Sequence, residues 1–219
     1  MRQGHQVRAF DRVATPEVTD ALIGNLENAA EVHAAVSGVN AIVHLAAHPD
    51  DAAFPTLVGP NVIGLFNVLS AARKERVSRT VLASSIQTVG DFAPVEKYSA
   101  GVAAPNNHYA LTKLWAEQMA EMYARSYGMS IIAARIGWMV RSAHEAERIA
   151  QDRRTHAYLS RADVAHFMVR AVVAEPVAFA VLYAVGPSGA AHFDLEPARR
   201  LIGYEPKDSW PNGLSFAVP

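Results

Sequence analysis

The chain has 219 residues, 51% of them hydrophobic and 19% charged, and a net charge of −1 at neutral pH. That length builds one sizeable core, the composition is too apolar for disorder, and the balanced charge leaves no footprint for nucleic acid or an acidic membrane surface. With no cysteine, disulfides, cysteine nucleophiles and thiolate metal sites are excluded, and a cytoplasmic location is the expectation.

In chain order, Gln6–Phe10 alternates apolar and polar residues and reads as a strand ending at Asp11. Ala21–Gly24 is a second short strand, and Glu27–Val36 carries helical spacing. Ala41–Leu45 is a continuous apolar run, as in a buried parallel strand. Val62–Ala72 is a helix apolar almost all round, and Thr80–Ala83 is a strand that delivers Ser84 and Ser85. Tyr109–Tyr127 is a long amphipathic helix stopped by Gly128. Ser130–Ala134 is a strand ending at Arg135-Ile136-Gly137. The charge-rich stretch Arg141–Arg154 reads as a solvated loop or short helix. Ser160-Arg-Ala-Asp163 reads as a capping box opening a helix through Val173. A strand over Phe179–Val185 and a helix over Leu195–Ile202 follow. No uninterrupted apolar run reaches the roughly 18 residues of a membrane span, and Met1–Gln6 lacks the apolar centre of a signal peptide.

Strands alternating with helices predict a doubly wound parallel α/β sheet, whose ligands sit beyond the carboxyl ends of the strands. Asp11, His44–Ala47, Ser85 and Arg135–Gly137 all fall at such ends.

Tyr109 and Lys113 are spaced i, i+4, on one helix face, and Ser85 ends the strand just upstream. A nearby ammonium group favours a phenolate, so Lys113 is expected to lower the pKa of Tyr109. Tyr109 then takes the proton of a substrate hydroxyl whose carbon gives hydride to NAD, and Ser85 holds the substrate oxygen. Ser84 is expected to turn into the sheet. Asp11, ending an early strand, suits the two hydroxyls of an adenosine ribose and repels a 2′-phosphate. His44 and His48 are also i, i+4, but Pro49 breaks any helix there and no third ligand has metal spacing, so no metal site is expected. Gly186-Pro-Ser-Gly189 reads as a turn. Trp138 follows a strand end that should face the cofactor.

The segments Gly4–Arg12, Val43–Ala47, Asn61–Ala72, Leu82–Ser85, Tyr109–Lys113 and Ala134–Gly137 together resemble the extended short-chain dehydrogenase/reductase family, also called the NAD-dependent epimerase/dehydratase family. Within it the chain looks most like uronate dehydrogenases, on the stretches Ala83–Gly90, Arg135–Gly137, Tyr158–Asp163 and Phe193–Pro206. The resemblance implies a Rossmann-like sheet over 1–140 with a small α/β extension over 141–219. It implies NAD as cofactor and Ser85, Tyr109 and Lys113 as the catalytic set. Asp11, Asn25, Leu26, Leu45, Ala46, Ala47, Asn61, Tyr109, Lys113 and Ile136 lie along the cofactor or support that site. Asn25 stands where the family usually has Asp beside the adenine.

The substrate side departs from the uronate pattern. Ile86-Gln87 replaces the usual Asn-His after the serine, and bulky Trp138 replaces a small Ser. Arg153 matches the arginine that clamps a sugar carboxylate, with Arg148 and Arg154 as close rivals. The activity implied is NAD-dependent oxidation of a sugar or uronic acid hydroxyl. The alternatives are a sugar epimerase or reductase of the same family, or a non-catalytic cofactor-binding relative. A homodimer packed through Val62–Ala72 and Tyr109–Tyr127 is expected.

The family opens with a strand, a G-x-x-G-x-x-G turn and a helix. By that comparison this chain begins at the end of the helix, about 20–25 residues into the unit, and the missing strand would be the central one, between the strands of Val7 and Val43, whose main-chain partners its loss removes. The expected cause is a start placed too late in a longer reading frame, ahead of a truncation or a decayed relative. For the chain as written, weak or no NAD binding and low stability are expected.

Overall fold

A computed structural model describes residues 4–91, 97–214 and 216. All its strand pairings are parallel, in two sheets. One sheet pairs β1 (Arg8–Asp11) with β2 (Asp20–Ile23). The other runs in chain order through β3 (Ala41–His44), β4 (Arg79–Ser85), β5 (Ile131–Ile136) and β6 (Phe179–Ala184). Among the described residues no ladder joins the two sheets, so β1 and β3 share no main-chain bonds, as expected above. β1 is held instead by side-chain reach: the Arg8 guanidinium donates to the Ser37 carbonyl at 2.9 Å, just past helix α1 (Ala29–Val36).

The period-2 alternation of a strand divides the core between the two faces of the larger sheet. Leu82, Ile131 and Ala133 face α1, α3 (Gly64–Lys74) and α4 (His108–Tyr127). Val81, Ile132, Ala134 and Leu182 face α6 (Arg161–Val173) and α7 (Glu196–Ile202). Burial on both faces explains why β4 and β5 read as unbroken apolar runs. β6 comes from the 141–219 segment yet completes the same sheet against β5.

Two local features differ from the sequence reading. The helix predicted over Val62–Ala72 has a longer approach: α2 (Phe54–Leu57) and a π-helical turn over Val58–Ile63 run directly into α3. Pro55, Gly59 and Pro60 hid this approach, because both residue types disfavour a helix interior. The whole stretch Phe54–Lys74 is 21 residues and apolar enough to cross a membrane by length and composition. In this fold Leu57, Leu65, Val68 and Leu69 are buried, Leu65, Val68 and Leu69 within the core facing α1 and α4. At α6 only half of the capping box forms. Ser160 Oγ accepts from the Asp163 N–H, but the Asp163 carboxylate turns away to accept the Lys207 and Asp208 N–H groups. That carboxylate thereby pins the 207–214 tail against the end of the sheet. The charged stretch after Arg141 folds as α5 (Ala143–Gln151), capped by Ser142.

Candidate active site

The strand register sets the floor of the site. Ser85 of β4 lies directly across from Ile136 of β5, both at carboxyl ends. Helix α4 crosses above and brings its first turns to these ends. Its N-cap, Asn107, accepts from the Ala110 N–H at 2.8 Å, and Asn107 Nδ2 donates to Gln87 Oε1 at 3.1 Å. The Asp51 carboxylate accepts the Tyr109 N–H at 3.2 Å. These bonds satisfy donors that a helix start leaves unpaired.

Ser85, Tyr109 and Lys113 come together and are all buried. The Tyr109 hydroxyl lies within the polar influence of Ser85, which favours its ionised form. Lys113 Nζ donates to the Ala83 carbonyl at 3.0 Å and stands 5.6 Å from the centre of the Tyr109 ring. Burial lowers Lys113 to about 8. Tyr109 is raised, not lowered as the sequence suggested. Burial is the largest cause, Ser85 opposes it, Asp50 adds to it and Arg141 subtracts. Desolvation of the phenolate therefore outweighs the Ser85 and Arg141 contributions.

Asn61 sits in the π-helical turn and links three parts of the site. Its Oδ1 accepts the His48 N–H at 2.7 Å, and its Nδ2 donates to Thr112 Oγ1 at 3.0 Å, between Tyr109 and Lys113. The extra residue of the π turn aims this side chain across to α4. His44, at the end of β3, is pushed down to about 4, chiefly by burial and then by the Lys113 charge. The folded state therefore keeps His44 neutral where the unfolded chain is protonated. Stability should rise with pH between about 4 and 6.5 and fall as pH drops through that window. Calorimetric midpoints of His44→Gln should show a flatter slope there than those of the unaltered chain; equal slopes contradict this.

Asp11 is exposed at the end of β1, where it accepts the Val13 N–H at 3.1 Å. Asn25 caps the turn before α1 by accepting the Glu27 N–H, and Leu26 packs against the core facing α1 and α3. Leu45, Ala46 and Ala47 follow β3 at its carboxyl end, with Leu45 exposed. Trp138 lies just past β5 under the Arg148 guanidinium, 5.0 Å from its ring centre. One substrate candidate turns into the core, and another is engaged by the α4 cap. Ile86 is buried with Val89, Tyr183 and Phe193, because the short 3₁₀ turn after Ser85 rotates it into the core. Gln87 is occupied with Asn107. Arg153 is exposed past α5, and among the described residues its side chain has no partner. Arg148 is the arginine brought against Trp138. The described residues contain no cluster of three or more groups suited to a metal.

The sequence reading passed over a buried network beneath these residues. Glu117 lies one turn beyond Lys113. Its carboxylate accepts from Ser84 Oγ at 2.5 Å and from Arg135 Nε and Nη2 at 2.9 Å each. Its position supplied a signal: 109, 113 and 117 share one inward helix face, and an acid on such a face needs a buried partner.

Comparison with known proteins gives this site its setting. Residues 1–172 match the profile of the NAD dependent epimerase/dehydratase family. The chain belongs to that family. Like other members of the epimerase/dehydratase family, it has solved relatives with the same fold. A glucuronic acid dehydrogenase from Chromohalobacter salexigens superposes with a TM-score of 0.81 at 25% identity, over 94% of this chain and 77% of that one. A mutant uronate dehydrogenase from Agrobacterium tumefaciens, complexed with NAD, gives 0.79 at 25% identity, over 92% and 75%. In sequence, the chain is 32% identical over 186 residues to a uronate dehydrogenase of Pseudomonas putida, 84% of this chain and 67% of that protein. It thus spans about two thirds of the length of the curated relatives it matches.

The residues present fit the two ends of an NAD molecule. Asp11 keeps one carboxylate oxygen free at the carboxyl end of β1 and would suit a ribose, and Lys113 and Ile136, beside the Tyr109–Ser85 pair, would hold the nicotinamide end. Among the described residues no glycine-rich turn precedes a helix at the point between them.

Proposed function

We propose that the protein oxidises a hydroxyl of a sugar acid, with NAD as hydride acceptor and Tyr109 as base. The observation that carries this reading is the buried convergence of Ser85, Tyr109 and Lys113 at the carboxyl ends of β4 and α4's first turns. Ser85 Oγ holds the substrate hydroxyl against Tyr109 Oη. The hydroxyl becomes more acidic as its carbon loses the hydride, which eases the proton transfer to a well-placed Tyr109 oxygen once that oxygen is ionised. Lys113 keeps the pair oriented through its own anchor on Ala83. NAD, when bound, supplies the acceptor for the hydride. The sugar-acid class is supported by the names of the related proteins and by Arg148, which can pair a carboxylate bidentately from its place on Trp138. A panel of uronates and neutral aldoses, read by NADH absorbance at saturating NAD, tests it. Uronate-dependent NADH is expected; turnover of neutral aldoses alone, or of nothing, overturns it.

Asp11 makes NAD, not its 2′-phosphorylated form, the matching cofactor. Asp11→Ser should raise the relative efficiency with NADP by about tenfold or more, equivalent to removing ~1.4 kcal/mol of charge repulsion. An unchanged cofactor ratio contradicts that role.

A homodimer belongs to the same reading. Ile63, Phe66, Trp115, Met122 and Tyr127 are exposed apolar side chains on α4 and on α3 with its approach, and the Arg73 guanidinium stacks on Tyr127 between the two helices. Such a patch favours association. Light scattering should give twice the chain mass and Phe66→Glu a monomer; a monomeric unaltered chain contradicts it.

A further inference from the structure

Glu117 lies outside the reacting set, yet its bonds end on Ser84, next to Ser85, and on Arg135, next to Ile136. Ser84 precedes Ser85, and Arg135 precedes Ile136; the two are register partners on β4 and β5. Both project toward α4 and meet the one carboxylate. Glu117 is 2% exposed and Arg135 1%. Arg135 Nη1 continues to the Val102 carbonyl at 2.8 Å and to the Tyr183 hydroxyl at 3.0 Å, and that hydroxyl donates to the Ser99 carbonyl. The approach segment to Asn107 and Tyr109 is therefore tied to the same cluster. Burial alone would weaken the Arg135 cation, but the Glu117 carboxylate and the Tyr183 hydroxyl raise it overall.

We propose that Glu117 is a positioning residue: through Ser84 and Arg135 it sets the placement of the strand ends bearing Ser85 and Ile136 against the helix turn bearing Tyr109 and Lys113. A purely structural ion pair would be replaceable. Apolar residues of similar volume in place of both partners are often neutral for stability. A positioning pair is not replaceable in this sense, because displacement by about 1 Å at a reacting centre costs about 10²-fold in rate. The kinetic part of this inference rests on the dehydrogenase reading above, so its test has a second readout that does not.

The experiment compares the unaltered chain with the double variant Glu117→Leu/Arg135→Met, which leaves net charge unchanged. Carbon NMR of ring-labelled tyrosine follows the ionisation of Tyr109, with its signal assigned by loss in Tyr109→Phe. The charged and titratable groups facing Tyr109 are Ser85, Lys113, Asp50, Asp51 and Arg141, with His44 against Lys113, and the double variant alters none of them. The folded double variant should show a Tyr109 midpoint raised by about half a pH unit or more, because the influence of Ser85 weakens. Where turnover is measurable, kcat should fall about tenfold or more with KM within about twofold. If the double variant does not fold, Ser84→Ala decides. It leaves the ion pair intact and should move the same midpoint and kcat in the same directions by smaller amounts. A folded variant with an unmoved Tyr109 midpoint overturns the positioning role. Absence of turnover in the unaltered chain would remove the dehydrogenase reading alone, since the Tyr109 titration still decides the positioning one.

Discussion

Tyr109→Phe is expected to lower turnover by about 10²–10⁴-fold, the usual contribution of a general base. The substitution deletes one oxygen and keeps the ring against Lys113. It also deletes the hydroxyl's interaction with Ser85, worth ~1 kcal/mol net. In a chain of this size that is ~2–4 °C of melting temperature. A large kinetic loss beside a small thermal loss is the signature of a reacting group. Ser85 and Lys113 remain in place in this variant, so residual turnover within about threefold of normal would move the base elsewhere. Measuring kcat/KM and the calorimetric midpoint on one preparation separates the two effects.

Arg135→Met should be the most damaging single substitution for stability. It strands the Glu117 carboxylate among buried groups, with only Ser84 left to donate to it. Breaking a buried pair on one side costs ~3–5 kcal/mol, or about 10 °C in a domain of this length. The stranded carboxyl would escape part of the cost by taking up a proton, so the loss should shrink at low pH. Adding Glu117→Leu should recover most of the midpoint, because no charge then remains buried. Calorimetry of the three forms checks this. An Arg135→Met midpoint within a few degrees of normal would mean that the pair is far better hydrated than its burial suggests.

The centre of the fold was legible because local and global signals agree there. Apolar runs at Ala41, Thr80 and Ile131, with Gly128 closing α4, left one arrangement for the strands and that helix. Ser85, Tyr109 and Lys113 were legible for the same reason: a strand end and an i, i+4 helix pair need no long-range information. Asn61 could be named, but its reach to Thr112 depends on a π turn that Gly59 and Pro60 disguise. Glu117 was missed because on an amphipathic helix a lone acid looks like solvent-facing surface until Arg135 is found beneath it. Ile86 looked like a substrate residue from its place after Ser85, and only the 3₁₀ turn reveals that it points inward. The rise in the Tyr109 pKa was equally hidden. Sequence displays the neighbouring lysine, but not the desolvation that raises the phenol against Ser85 and Arg141.

The most direct test follows one atom. A uronate carrying deuterium at the carbon to be oxidised is incubated with the protein and saturating NAD, and the nicotinamide and sugar are then analysed by mass spectrometry. The expected result is deuterium on the reduced nicotinamide in amounts equal to the oxidised sugar acid, and none of it in Tyr109→Phe. Deuterium retained in an epimerised sugar with no net NADH, or no reaction under saturation, would contradict a dehydrogenase built on Ser85, Tyr109 and Lys113.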